Sequence, residues 1–163
     1  MKRIGFLGCG KIGRALAKHI MELEDTEISF IQDPGFQNDL GLTCPVITAP
    51  DEDLYSHTDL IIECATASVL NANLEQILKN CDLMLFSVTA FSVPAFEAKV
   101  KELYASYGHH VYIPHGAVLG IDGLFDGHKI WKEVSIVTTK SPKSLGRTDT
   151  ERTIVYDGPT REV

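Results

Sequence analysis

Three glycines near the start of the chain carry its strongest chemical signal. They belong to the run Gly8-Cys9-Gly10-Lys11-Ile12-Gly13, which follows a short apolar segment, Ile4 to Leu7, and precedes apolar residues at helical spacing. In a strand–turn–helix unit of this kind, the first glycine makes the tight turn, the second lets the backbone approach phosphates, and the third allows close packing of the helix. The helix N-terminus offers free N–H groups and a partial positive charge. The run therefore predicts a site for a dinucleotide pyrophosphate.

An acidic residue follows this run at the spacing that a dinucleotide site needs. Glu27 to Gln32 predicts a second buried strand, and Asp33 ends it, twenty residues after Gly13. A carboxylate at this point accepts hydrogen bonds from the adenosine ribose 2′-hydroxyl and repels a 2′-phosphate, which favours NAD over NADP. Nearby loop residues can still accommodate a phosphate, so NADP stays open as an alternative. The competing interpretation is a generic strand–turn–helix unit that binds no ligand.

Small and hydroxyl-bearing residues follow two later strands. Ligands of open parallel sheets bind outside the carboxyl ends of the strands, and the loops predicted at that edge are 8–13, 65–68, 89–92 and 114–120. Taken singly, each hydroxyl is explained as a helix cap or as loop polarity, but four small-residue loops at one edge favour a joint site for a flat nicotinamide. The candidates are Ala65, Thr66, Ser68, Ser87 and Thr89.

Polar residues after the strand predicted at 110–113 offer less specific chemistry. His115 would polarise a carboxylate or carbonyl oxygen or transfer a proton at this edge, and it is equally well explained as a loop histidine. Asp122 fits a helix cap better than an acid–base group. Lys140 fits an exposed lysine at a strand end better than a cation beside an acidic substrate. These residues alone assign no catalytic group and no metal ligand.

Alternating apolar strands and helices position these residues. Each strand of the first 114 residues is nearly all apolar, which indicates a parallel sheet covered by helices on both faces. The fold class is therefore α/β, a doubly wound parallel sheet of Rossmann type over residues 1–114. An incomplete α+β second domain follows over residues 115–163, with a short helix and two strands. The predicted strands are 3–7, 27–32, 46–47, 60–64, 83–88, 110–113, 134–138 and 153–156. The first predicted helix of the first domain runs from Lys11 to Leu23. The next two are capped by Asp51 and Ser68, and the last begins at Ser92 or Pro94.

Composition limits the partners and the compartment. The 163 residues are 44% apolar, enough for a core, and the net charge of −7 comes without a basic stripe, so nucleic acid and anionic membranes are excluded as partners. No apolar run reaches the roughly 18 residues of a membrane-spanning helix, and the chain enters a strand at once without a signal peptide. We therefore expect a cytoplasmic protein. Four cysteines lack paired metal spacing and are expected to be reduced thiols: Cys9, Cys44, Cys64 and Cys81.

The stretch that begins at the end of the strand predicted at 110–113 resembles a known family. The run Ile113-Pro114-His115-Gly116-Ala117-Val118-Leu119-Gly120-Ile121-Asp122-Gly123-Leu124 is similar to the signature of L-aspartate dehydrogenases, which usually reads I-P-S-G-A-I-x-G-L-D. His115 stands where serine is usual. The tail, 155–162, is similar to the family's F-x-G-x-A-R-E, and the resemblance covers essentially the whole chain in order. Other similar segments are 8–13, 63–66, 86–91 and 137–142.

The resemblance implies an activity and a set of cofactor contacts. L-Aspartate dehydrogenases oxidise the Cα–N bond of L-aspartate and pass hydride to NAD(P), giving iminoaspartate, which hydrolyses to oxaloacetate and ammonia or feeds NAD biosynthesis. The backbone around Ala117 would contact the cofactor, and the turn at 8–13 its pyrophosphate. Together with the signals above, the cofactor-binding candidates are Gly8, Cys9, Gly10, Lys11, Ile12, Gly13, Asp33, Ala65, Thr66, Ser87, Thr89, His115, Gly116 and Ala117.

Members of this family continue for roughly a hundred residues beyond the similar part, judged by typical two-domain size. That portion carries the segments that hold substrate and provide the catalytic histidine, so no residue of this chain is assigned a catalytic role. We expect the chain to bind cofactor and turn over aspartate negligibly, and to form a homo-oligomer because an unfinished sheet exposes an apolar face. Two alternatives stay open: a dehydrogenase of the homoserine or dihydrodipicolinate type, and a non-catalytic NAD(H)-sensing module.

Overall fold

Strands and helices alternate along the first part of the chain, as the sequence predicts. A computed structural model describes residues 1–115 and 120–159, and the chain divides into two units, Met1–Leu119 and Gly120–Val163. The strands of the first unit are β1 (Lys2–Leu7), β2 (Thr26–Gln32), β3 (Val46–Ile47), β4 (Leu60–Glu63), β5 (Asp82–Leu85) and β6 (Val111–Tyr112). Its helices are α1 (Lys11–Ile20), α2 (Glu52–Ser56), α3 (Ala67–Asn80) and α4 (Pro94–Tyr107), with a 3₁₀ helix at Val88–Ser92.

The six strands join one parallel sheet in the order β3-β2-β1-β4-β5-β6. Strand order reverses between β1 and β4, which is the switch point where open α/β sheets bind ligands. Leu7 at the end of β1 pairs with Gln32 on one side and with Glu63 on the other. The carboxyl ends of β1, β2 and β4 are therefore level at one edge. The predicted doubly wound parallel sheet is confirmed.

Neighbouring residues of each central strand pack on opposite faces of the sheet. Phe30 and Ile61 belong to one buried core, Ile31 and Ile62 belong to the other, and all four are at most 5% exposed. Helix α1 covers the second core, whereas α3 and α4 cover the first. Burial on both faces explains why β4 is a continuous apolar run up to Glu63 and why Phe30 and Ile31 are adjacent apolar residues in β2.

Strand β5 is shorter than predicted for a reason that bears on the site. It ends at Leu85 and not at Val88. The Phe86 N–H still donates to the Glu63 backbone carbonyl at 3.1 Å, but the Ser87 N–H donates to the buried carboxylate of Glu63 at 2.9 Å. The chain then enters the 3₁₀ helix, so residues 89–92 are helical, and their prediction as a loop was wrong.

Helix ends follow the available hydrogen-bond partners. Asp51 caps α2 as predicted, with its Oδ1 atom accepting from the Leu54 N–H at 3.1 Å. Helix α3 begins earlier than predicted and is capped by Thr66, whose Oγ1 accepts from a backbone N–H three residues on, while the Ser68 hydroxyl lies 3.0 Å from that Oγ1. Helix α1 ends at Ile20 and not at Leu23, since the next residues form tighter turns.

The second unit contains little regular structure among its described residues. Helix α5 spans Ile121–Asp126, where a short helix was predicted, and a 3₁₀ helix spans Pro142–Leu145. The strands predicted at 134–138 and 153–156 are not formed, because within residues 120–159 neither segment has a strand partner for its backbone groups. Across 1–115 and 120–159, no helix is long and apolar enough to cross a membrane.

Candidate dinucleotide site

Gly8 brings the end of β1 against the loop that follows β4. Its φ of +86° lies in the region that favours glycine, and a Cβ built there would lie 2.8 Å from the backbone of Ala65. The Gly8 N–H donates to the Gln32 carbonyl at 2.9 Å, which also ties the turn to the end of β2. Any side chain at position 8 would separate these elements, so this glycine is needed by the fold itself.

Gly13 allows helix α1 to begin directly against the turn. A Cβ built there would lie 2.7 Å from the Gly8 carbonyl oxygen, closer than two such atoms can approach. The first helical hydrogen bond runs from the Arg14 N–H to the Gly10 carbonyl at 3.0 Å. The close contact therefore places the N-terminus of α1, with its free N–H groups, at the edge of the sheet where β1 ends.

Gly10 differs from Gly8 and Gly13 because no contact within the described fold requires a glycine there. Among the described residues, no atom lies within 4 Å of a Cβ built at Gly10, and its φ of −73° is open to any residue. The residue is exposed, and lacking a side chain it provides no cap for α1. A bare backbone facing open space at a helix N-terminus is the arrangement that a close-approaching phosphate requires.

Asp33 lies beside this turn, at the end of β2. Its Oδ2 atom accepts from the Cys9 N–H at 2.8 Å, and its Oδ1 atom accepts from the Gly35 N–H at 2.8 Å. The carboxylate that the sequence assigns to the ribose thus also holds the glycine turn in place. A carboxylate has about four lone-pair sites, so two remain for ribose hydroxyls.

Glu63 was not among the predicted site residues, yet it organises the same edge. It is fully buried at the end of β4 and accepts from the N–H groups of Ala65 at 2.8 Å, Phe86 at 3.2 Å and Ser87 at 2.9 Å. The Ser87 hydroxyl donates a fourth hydrogen bond, at 2.8 Å. One carboxylate therefore joins the loops after β4 and β5. The sequence signal was available: a single acidic residue ends an otherwise apolar strand, 60–63.

The buried side chain of Gln32 anchors the strand end to which the glycine turn is bonded. The Gln32 side chain donates from Nε2 to Asn73 Oδ1 at 3.1 Å and accepts a hydrogen bond from the Tyr55 hydroxyl at its Oε1 atom. Tyr55 is fully buried and stacks on Phe30, with ring centroids 5.4 Å apart. Because the Gln32 carbonyl accepts from Gly8, this network connects α2, β2 and α3 to the glycine turn.

The hydroxyl candidates have different environments. Thr66 and Thr89 are exposed, and Thr66 caps α3, as described above. The Ser87 hydroxyl donates its hydrogen bond to Glu63, so toward a ligand it can act only as an acceptor. His115 is exposed at the end of the first unit's described part. Gly116 and Ala117 lie outside the described residues.

The cysteines near the site are poor nucleophiles. Burial raises the pKa of the Cys9 thiol to about 11, and burial together with the charge of Glu63 raises the pKa of Cys64 to about 12. Burial likewise raises the pKa of Cys81 to about 12. Burial also raises the pKa of Cys44, so the four free thiols are protonated and unreactive near neutral pH.

Arg14, in the first turn of α1, is a further residue that the sequence left without a role. Its position predicts part of a solvated helix face, but its guanidinium lies over the Phe36 ring, 4.7 Å from the centroid. It pairs with Asp39 and donates to the Gln37 carbonyl at 3.2 Å. The side chain therefore fastens the loop after Asp33 to the helix that follows the glycine turn.

Comparisons with known proteins agree with this geometry. Residues 8–114 match the family described as "Homoserine dehydrogenase, NAD binding domain". L-Aspartate dehydrogenase of Methanospirillum hungatei is 32% identical, over 99% of this chain and 66% of that protein. The enzyme of the same name from Archaeoglobus fulgidus is 29% identical, over 98% of this chain and 64% of that protein. A crystal structure of aspartate dehydrogenase from Thermotoga maritima, 27% identical, aligns with a TM-score of 0.69 over 99% of this chain and 66% of that one.

The chain spans about two thirds of the length of these relatives. The resemblance to L-aspartate dehydrogenases that the sequence indicates is confirmed, as are the nucleotide-binding fold and NAD as the cofactor of the family. The chain therefore belongs to the family of NAD-binding domains described for homoserine dehydrogenase, and it is similar to L-aspartate dehydrogenases over nearly its whole length.

Proposed function

We propose that this chain binds NAD at the carboxyl edge of its sheet and forms the cofactor-binding part of an enzyme of the L-aspartate dehydrogenase type. The observation that carries the proposal is Gly10. Gly8 and Gly13 are explained by contacts within the fold, whereas a glycine at position 10 leaves open space at a helix N-terminus. Ligand approach accounts for that space, which supports a dinucleotide site over the generic strand–turn–helix alternative.

The residues at this edge fit the parts of NAD in order. The N-terminus of α1 would hold the pyrophosphate, since its N–H groups and dipole favour anions. The remaining lone pairs of Asp33 would accept from the adenosine ribose. The small residues after β4, Ala65 and Thr66, and those after β5, Ser87 and Thr89, would lie along the nicotinamide half. Glu63 contacts no ligand in this arrangement and serves by fixing both loops.

The proposed reaction follows from the relatives' names. Bound NAD would supply the hydride acceptor: transfer from Cα of L-aspartate would give iminoaspartate, NADH and a proton, and hydrolysis of the imine by water would give oxaloacetate and ammonia. This chain's own contribution would be to bind and orient the cofactor. No described residue is assigned as the acid–base group, so we expect the 163-residue chain alone to turn over aspartate negligibly. Self-association and a cytoplasmic location stay predictions.

Calorimetric titration with NAD tests the proposal, and Gly10→Ala is the informative variant. The added methyl group meets no described atom, so the melting temperature should stay within about 2 °C of wild type. It would occupy the space that a phosphate needs, and we expect the Kd for NAD to rise at least about tenfold. Asp33→Ala is less suitable because it also releases the Cys9 and Gly35 N–H groups.

Gly123→Ala provides the matched control. Gly123 lies in α5, and there too no described atom lies within 4 Å of an added Cβ. We expect unchanged NAD binding for this variant. Saturable binding by wild type that Gly10→Ala weakens and Gly123→Ala leaves intact supports the site. Absence of NAD binding by wild type, or equal binding by all three proteins, contradicts it.

A further inference from the structure

Arg14 is held on the loop after β2 by three different contacts. The guanidinium stacks over Phe36, donates to the Gln37 carbonyl and forms an ion pair with Asp39. The side chain is 28% exposed, so ring and backbone hold it close to the protein, while the Asp39 side chain is 66% exposed. Removal of the Asp39 carboxylate therefore leaves in place the contacts of Arg14 with the Phe36 ring and the Gln37 carbonyl.

This cluster lies at the adenosine end of the candidate site. The loop that carries it begins at Asp33, and the Phe36 N–H donates to the Asp33 carbonyl at 3.2 Å. Cys9, whose N–H binds the Asp33 carboxylate, is close enough to Arg14 and Asp39 for their charges to act on its thiol, Arg14 lowering the pKa and Asp39 raising it. Arg14 and Asp39 therefore lie near the residue of the glycine turn whose N–H binds the Asp33 carboxylate.

We propose that Arg14 is the cation that a ribose 2′-phosphate would recruit, and that Asp39 withholds it by pairing with it, so that the Arg14–Asp39 pair sets a preference for NAD over NADP. The inference rests on the proposed function, because it concerns the selectivity of the same site. It assigns to Asp39 a role in specificity that is separate from the repulsion expected of Asp33.

The physical argument concerns the balance of charge around the ribose. A guanidinium binds phosphate through two parallel hydrogen bonds, which makes arginine the preferred partner of a 2′-phosphate. To use Arg14, NADP would first have to break the pair with Asp39. The phosphate would then share the loop with two carboxylates, Asp33 and an Asp39 left unpaired. NAD carries a hydroxyl at this position, so its binding neither breaks the Arg14–Asp39 pair nor places a phosphate beside the two carboxylates.

Titrations of the 163-residue chain with NAD and with NADP test this inference. For Asp39→Asn, we expect the Kd for NADP to fall about tenfold while the Kd for NAD changes less than about twofold. Asp25→Asn is the matched control, because this exposed residue precedes β2 at the opposite edge of the sheet. It removes the same charge and should leave both Kd values unchanged.

A second background separates recruitment of Arg14 from a general loss of negative charge. In Arg14→Gln, Asp39→Asn should no longer strengthen NADP binding, because no guanidinium is present to be released. Arg14→Lys keeps the charge without the two-pronged geometry and should retain only part of the gain. Circular dichroism and melting temperatures check that each variant folds.

Three results would overturn the inference. Asp39→Asn could leave the NADP affinity unchanged, or it could strengthen NADP equally with and without Arg14, which would mean plain repulsion by Asp39. Asp25→Asn could also give the same gain, which would show an effect of net charge. A wild-type protein that binds neither nucleotide would instead remove the proposed function, and the selectivity inference with it.

Discussion

Replacing Glu63 by glutamine should destabilise the protein more than any comparable change of a surface carboxylate. The substitution keeps the size of the side chain and exchanges one oxygen for an NH2 group. Both oxygens of Glu63 accept hydrogen bonds from donors that belong mainly to the backbone, and the residue is fully buried. An amide at this position must therefore direct a donor against a donor.

The orientation of the new amide sets the size of the effect. With its nitrogen in place of Oε2, it faces the N–H groups of both Phe86 and Ser87. With its nitrogen in place of Oε1, it faces the Ala65 N–H and the Ser87 hydroxyl, which can rotate and accept. The second orientation loses a single backbone hydrogen bond. A buried bond to a charged group is worth about 1.5–3 kcal/mol, so we expect a loss of about 2–3 kcal/mol.

Equilibrium unfolding in urea at pH 7 measures this loss, with the slope m checked against wild type. For a chain of this size the melting temperature should fall by about 4–12 °C. Glu102→Gln is the control, because Glu102 is exposed on α4 and should change the free energy of unfolding by less than about 0.5 kcal/mol. If Glu63→Gln matched this control, the carboxylate would not be what joins the two loops, and the reasoning would be wrong.

Two further predictions follow from the same contacts. Gly8→Ala should destabilise by at least about 2 kcal/mol in urea unfolding, because a Cβ meets the Ala65 backbone at a positive φ; Gly123→Ala should not. Stability should also fall as pH rises above about 9, since burial raises the pKa of Cys9 to about 11 and of Cys81 to about 12, and the unfolded thiols ionise first. In Cys81→Ser, the free energy of unfolding should fall less steeply with pH above about 9. An unchanged pH profile in this variant would contradict the assignment of that fall to the Cys81 thiol.

The central strands and the nucleotide edge could be predicted because they leave local signals. Ile61 and Ile62 face opposite cores, so β4 is apolar up to its last residue, Glu63, and the glycine run marks the turn by composition alone. The end of β5 could not be found in this way. Phe86 and Val88 are as apolar as the strand before them, and the strand stops where the carboxylate of Glu63, more than twenty residues earlier, accepts from the Ser87 N–H.

The role of Arg14 was also hidden from the sequence, for a related reason. Its helical periodicity with Lys18 indicates a solvated face, and nothing local indicates that the loop at 36–39 folds back under it. The prediction of strands at 134–138 and 153–156 was wrong because a local signal was present without a long-range partner. The alternating pattern at 134–138 and the apolar residues at 153–156 are local signals, but a strand needs a partner, and within residues 120–159 none is present.

Asp33 and Glu63 together suggest how the site is prepared for its ligand. Each carboxylate binds backbone N–H groups of a loop that would contact NAD, Asp33 at the glycine turn and Glu63 after β4 and β5. Loops that are already held lose less conformational entropy when a ligand binds, so more of the contact energy contributes to affinity. The argument predicts that Glu63→Gln weakens NAD binding as well as stability, although Glu63 touches no ligand. A variant that was less stable but bound NAD with unchanged affinity would show that the loops are ordered by other contacts.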